Sequence, residues 1–171
     1  MYTLAPDEKK TLVFIYTQDS LVRGEVVTKE TIMVSRWLRT DSAPNFMQIL
    51  NAQLIMIGGG AVKTFNYPEL LFPTGNCIGF HISPPASDPL DYEEDEPNRI
   101  MAPVHLIVGS FIMEGELRVS SQTEISTSLD VSRSAWMSFY NANISNPYLP
   151  TMKMSVPMLI IRPEEVTFAV T

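Results

Sequence analysis

Gly24-Glu25-Val26 and Gly115-Glu116-Leu117 lie 91 residues apart and sit at the centre of a longer match. Val13 and Ile15 precede the first triplet at the spacing with which Val104 and Leu106 precede the second. After a single-residue deletion the register continues at 90: Phe46-Met47 against Trp136-Met137, Asn51-Ala52-Gln53-Leu54 against Asn141-Ala142-Asn143-Ile144, Lys63 against Lys153, and Pro73 against Pro163. Matches in one order with one shift mark an internal duplication. We therefore expect two homologous units, residues 11–83 and 102–171, after an N-terminal segment 1–10 and on either side of a connector 84–101.

Within each unit the apolar pattern favours strands. Residues 12–17 and 21–28 are rich in β-branched side chains and flank the turn-prone Gln18-Asp19-Ser20. Residues 46–57 are apolar without a sustained helical rhythm, and residues 77–82 alternate, with Ile78, Phe80 and Ile82 on one side. The stretch 70–78 reads as a hairpin turning at Pro73 and Gly75, repeated without the glycine at 159–166. Val34, Trp37 and Leu38 suggest a single helical turn, and 13 prolines oppose long helices. About five short strands in ~70 residues match the size of a small β-barrel. The expected fold is all-β: two tandem five-stranded barrels with short helical turns.

The connector is rich in proline and acid and lacks periodicity, which predicts an extended, solvated linker. It holds six acidic residues and one arginine, whereas the first unit is neutral and the second carries −2, so most of the net charge of −7 lies in the connector. No apolar run approaches the ~18–20 residues of a bilayer helix, so the chain is not expected to span a membrane by helices. Charges follow the first apolar residues at the N-terminus without an apolar segment, and Cys77 is a lone cysteine. Both features point to a cytoplasmic location without a disulfide framework or a multi-cysteine zinc site.

Val13-x-Ile15, then Gly24-Glu25-Val26, then Phe46-Met47-Gln48-Ile49-Leu50-Asn51-Ala52, then the turn ending in Ile78, resembles the order of elements in Sm-like small barrels. The second unit is similar, through Gly115-Glu116-Leu117 and Leu159-Ile160-Ile161-Arg162-Pro163. More closely, the pattern resembles bacterial Sm-like domains with a short helical turn before the third strand. In RNA-binding members an asparagine in the first motif and an arginine-glycine pair in the second build the nucleotide pocket. Here Gln48 and Ser138 take the first position, and Phe72-Pro73 and Arg162-Pro163 the second, so only Arg162 matches. Proline removes a backbone donor there. Near-neutral units also lack the clustered Lys and Arg that phosphate binding requires.

Other motifs have plainer readings. Gly58-Gly59-Gly60-Ala61-Val62-Lys63 lacks the glycine directly before lysine that a phosphate loop needs, so a strand connector is expected. His81 and His105 sit between apolar strand neighbours, and alternation puts each on the face opposite them, as a solvated or hydrogen-bonded strand histidine. Asp88 or Asp91 would have to complete any metal site with them. Cys77 and His81 are four apart on a strand, ~13 Å along its axis, too far for proton transfer. Ser120, Ser121, Ser126, Ser128, Ser132 and Ser134 read as loop and edge residues. No catalytic residue, metal site or cofactor is expected, and the chain is read as a non-enzyme.

The function these features favour is a structural or assembly protein, an oligomer subunit whose partners are proteins. Small barrels leave strand edges that pair with other barrels. Trp37, Trp136, Tyr92 and Tyr148 are the interaction candidates. The alternative is a regulatory module binding RNA or a small anionic ligand through Arg36, Arg39, Lys63, Arg133, Lys153 and Arg162.

Overall fold

The structure is a computed structural model that describes residues 2–170. The first unit contains β1 (Glu8–Tyr16), β2 (Ser20–Lys29), α1 (Val34–Trp37), β3 (Phe46–Gly58), β4 (Ala61–Pro73) and β5 (Gly79–Ile82). The second contains β6 (Arg99–Val108), β7 (Phe111–Ser120), α2 (Ile125–Val131), β8 (Met137–Ser145), β9 (Lys153–Ile161) and β10 (Thr167–Val170). Thus β1 begins inside the segment assigned to the N-terminus, and β6 begins inside the connector. The helical turn at Val34 is present, whereas α2 was not expected and places Ser126 and Ser128 on a helix.

All pairings are antiparallel, and the strands form one sheet in the order β10-β6-β7-β8-β9-β5-β1-β2-β3-β4. Each unit repeats the order fifth, first, second, third, fourth. The all-β expectation holds, but the described strands do not form two separately closed barrels: they make one open ten-stranded sheet. The reason is that β9, fourth strand of the second unit, occupies the outer edge of β5, with Gly79 opposite Ile161 and Phe80 opposite Ile160. The hairpins expected at 70–78 and 159–166 are also corrected. β4 and β5 lie on opposite edges of their unit, and a 3-10 turn, Thr74–Asn76, carries the chain between them. Its counterpart, Pro163–Glu165, does the same before β10.

The repeated Gly-Glu has a physical cause. Register shifts between Arg23 and Glu25, so that Gly24 faces the two residues Asn51 and Ala52, and the same shift flanks Gly115, facing Asn141 and Ala142. These are β-bulges, which bend a strand and increase its twist. Asn51 and Asn141 take the left-handed conformation, at φ 49° and 50°. Asn51 Nδ2 donates to Glu25 Oε2 at 2.8 Å, and Asn141 Nδ2 to Glu116 Oε2 at 2.7 Å. A Cβ on Gly115 would stand 2.6 Å from the Tyr140 carbonyl and 2.8 Å from the Phe139 ring. Gly, Glu and Asn are thus one local device, made twice. The structural register also corrects the sequence match at its end: Ser145 pairs with Lys153 and Ile55 with Thr64, while Met137 pairs with Ile161 and Met47 with Phe72. Lys153 therefore corresponds to Thr64, and Arg162 to Pro73.

The core continues through the junction. Val13 and Ile15 of β1 pack with the first unit's Val22, Val26, Met47 and Ile49, while the alternate residues Phe14 and Tyr16 pack into the second unit's cluster around Val104, Leu106 and Phe111. Reciprocally, Tyr140, Met158 and Ile160 join the first unit's cluster. Both faces of β1 are therefore buried, which accounts for its unbroken apolar run from Leu12 to Tyr16. Gly115→Ala is expected to destabilise the chain by about 2–3 kcal/mol through overpacking. Gly58→Ala, where nothing lies within 4 Å of the added atom, is expected to change stability by less than about 0.5 kcal/mol. Denaturant unfolding of both variants checks the contrast.

Candidate functional site

The connector is exposed to solvent along most of its length, as a linker of this composition should be, but it is also tied across the seam between the units. Asp88 accepts the backbone N–H of Ser35 at the start of α1, at 3.1 Å. Asp91 is the centre of a denser network. Its Oδ2 accepts from Arg39 Nη2 at 2.9 Å and Ser138 Oγ at 2.5 Å, and its Oδ1 from Tyr140 OH at 2.6 Å. Arg39 follows α1 in the first unit, and Ser138 and Tyr140 lie on β8 of the second, so one carboxylate ties both units. Partial burial opposes ionisation of Asp91, but the hydrogen bonds from Ser138, Tyr140 and Arg39 outweigh it and hold the carboxyl below its usual range. Beyond it, Tyr92 meets Tyr140 edge-on at 4.9 Å and lies under the Arg118 guanidinium at 4.5 Å. Arg118 Nη2 also donates to Glu93 O at 2.7 Å and Glu96 Oε2 at 3.2 Å.

Between connector and sheet lies an open cavity of about 590 Å³, lined by Arg36, Asp91, Tyr92, Glu96, Arg118 and Tyr140 among others. Arg99 and Arg118 pair there with Glu96 of the connector, so the lining is mixed in charge. The other basic candidates are not gathered here. Lys63, Arg133 and Lys153 are exposed on β4, the α2–β8 loop and β9. Arg162 sits over the Trp136 ring at 4.5 Å and donates to Thr74 O at 3.3 Å. Of the aromatic candidates, Trp37 packs against the first unit's core, Trp136 meets Phe80 edge-on at 5.5 Å at the seam, and Tyr148 is exposed.

Of the two readings of a strand histidine, solvated or hydrogen-bonded, His81 is the hydrogen-bonded one. Because β5 is covered on both faces by the joined units, His81 is buried, stacked on Phe14 at 5.1 Å. Its Nδ1 lies 2.8 Å from Ile82 O, an acceptor only, so Nδ1 carries the proton and donates there. Nε2 then accepts from Tyr16 OH at 2.9 Å. Burial holds the imidazole neutral, lowering its pKa to about 4 against a smaller opposing effect of the Ile82 carbonyl. Cys77 is buried as well, its thiol pushed up to about 12 by burial and donating to Gly79 O at 3.6 Å. With Nε2 committed to Tyr16, Cys77 and His81 do not form a nucleophile–base couple. Asp88 and Asp91 bond to Ser35 and Arg39 instead of joining a histidine. No group of three or more His, Cys, Asp or Glu side chains among the described residues is arranged to hold a metal. No helix among them is long and apolar enough to cross a membrane.

No family model matches the chain, and neither does any curated protein or solved structure. Sequence reasoning passed over Arg118 and Tyr140, which pin the connector, and the Tyr16–His81 pair; no local motif marks them, since their partners are distant in sequence, 65 residues apart for Tyr16 and His81 and 49 for Tyr140 and Asp91.

Two pH windows are expected. The unfolded chain protonates His81 near pH ~6.5 and the folded chain only near about 4, so stability falls by about 3 kcal/mol as pH drops across that interval. His81→Gln is expected to remove this slope. Asp91, with its pKa depressed, contributes stability above the ordinary carboxyl range that is lost as pH falls through the folded value. Asp91→Asn is expected to cost about 1 kcal/mol at neutral pH, a modest figure because the pair is partly exposed. Unfolding free energies measured from pH 7 to 3 separate the two.

Proposed function

We propose that the protein is a non-enzymatic assembly module, built from two Sm-like five-stranded units fused into one open sheet and acting as a cytoplasmic subunit of a larger protein complex. The observation that carries this reading is the β9–β5 pairing: one unit's fourth strand adds to the other's fifth, so these units associate through their strand edges. The same two kinds of edge are left over at the ends of the sheet, on β4 and β10. An unpaired edge is a template for another strand. The strand order repeated in both units and the paired bulges support the small-barrel reading. The mixed lining of the connector cavity and the dispersal of Lys63, Arg133 and Lys153 favour proteins over RNA or a small anion as partners.

Light scattering on the purified full chain, together with the composition of the native complex isolated from its source, tests the proposal. A mass above that of one chain, or a stoichiometric protein partner, is expected. A strict monomer at tens of micromolar with no such partner would overturn it.

A further inference from the structure

We propose that the surface beneath the connector is a receptor for an acidic segment of a partner protein, and that the connector, docked there from within the same chain, is its built-in competitor. This deepens the assembly reading and rests on it.

The connector is held as a peptide ligand would be. Residues 88–96 include six acids and no base. Asp91 and Glu96 are the anchors of this stretch: Asp91 accepts from Arg39, Ser138 and Tyr140, and Glu96 from Arg118. Next to the first anchor, Tyr92 lies edge-on to the Tyr140 ring and under the Arg118 guanidinium. The acceptors thus come from one short segment, and the donors stand on the folded units: Arg39 after α1, Arg118 on β7, Ser138 and Tyr140 on β8. Recognition of acidic motifs by arginines on a fixed scaffold works in this way.

The hold is light. Of residues 84–98 only Asp88 and Tyr92 are partly buried, and the rest are exposed. Ion pairs at such exposure contribute little, and the strands pair with one another without this segment. The connector can therefore lift by local opening while the sheet stays intact.

The connector also leaves donors unused. An open cavity of about 590 Å³ remains between it and the sheet, and Arg36 lines that cavity. Arg118 Nε is buried without a hydrogen-bond partner. Buried polar atoms are normally paired, so the surface offers more than its own connector satisfies. A segment with an acid in the place of Asp91, an aromatic residue after it, an acid in the place of Glu96 and a further acceptor for Arg36 or Arg118 fits better than the connector itself. Because the connector is tethered, it competes at an effective concentration on the order of millimolar, which keeps the surface closed to weakly bound acids.

A fluorescein-labelled peptide of residues 86–98 is titrated by anisotropy into two full-length chains, the unchanged protein and one carrying Asp91→Ala and Glu96→Ala, both at exposed positions. Folding of each chain is checked by circular dichroism. The double variant, with its own connector released, is expected to bind the peptide about tenfold tighter than the unchanged protein, or more. Adding Arg39→Ala to it is expected to remove the gain, and a peptide of the same composition in scrambled order is expected not to bind. Asp91→Asn, which keeps the shape of the side chain, is the second released chain should the double variant misfold, with a gain in the same direction. No difference between unchanged and released chains overturns the proposal and leaves the connector a covalent staple. Equal binding of the scrambled peptide overturns it as well, since charge alone then accounts for the attraction. A chain that purifies with a stoichiometric partner but binds no peptide overturns this proposal and not the assembly reading, whereas a strict monomer without a partner overturns the reading on which it rests.

Discussion

Two residue pairs, Gly79 with Ile161 and Phe80 with Ile160, turn two five-stranded units into one sheet. Their backbone bonds are few, so the strength of the joint comes from the side chains it brings under cover. Phe14, Tyr16, Leu21 and Ile78 of the first unit enter the second unit's core, and Tyr140, Met158 and Ile160 enter the first's. Burying an apolar side chain of this size contributes about 1.5–3 kcal/mol, well above the net contribution of a backbone hydrogen bond. The buried His81 is a consequence: only a strand covered on both faces holds an imidazole away from water, with Tyr16 and the Ile82 carbonyl as its partners.

The connector reinforces the same seam by electrostatics. Most of the chain's net negative charge is concentrated in these residues, and the carboxylates that dock meet a donor set drawn from both units: Ser35 and Arg39 from one, Ser138, Tyr140 and Arg118 from the other. Its composition nevertheless reads as a solvated linker. Proline and acid rule out regular structure, and they carry no information about side-chain partners that lie about 50 residues away in sequence for Asp88 and Asp91.

Much of the fold was legible because the internal repeat of residues encodes it locally. Gly24, Glu25 and Asn51 recur as Gly115, Glu116 and Asn141, since each bulge needs a residue without Cβ at the close approach and an asparagine in the left-handed region. The glycines at 59 and 60, both at positive φ, fit the expected strand connector. The hairpin at 70–78 misled because proline and glycine mark a change of direction without saying whether the following strand pairs with the preceding one. α2 was missed because its serine-rich segment is short and offers only Ile125 and Leu129, partly buried one turn apart, as an apolar signal. The one-residue offset at Lys63 and Lys153 arose in a strand where identity of type was accidental and register was set by neighbouring strands.

By itself, the sequence determined that the chain is all-β, that it is built twice from one plan, and where several of its strands lie, because these depend on residues a few positions apart and on their local conformational preferences. Only the tertiary structure decided that the units share one open sheet, that the acidic connector is bound across the seam, and that Leu71, Phe46, Ile107 and Ile112 are left uncovered at its ends. Those outcomes depend on which strand edge finds which partner. Apart from prolines such as Pro68 and Pro73 on β4, strand edges offer the same kinds of backbone donor and acceptor, so the choice rests mainly on side-chain burial across the completed sheet.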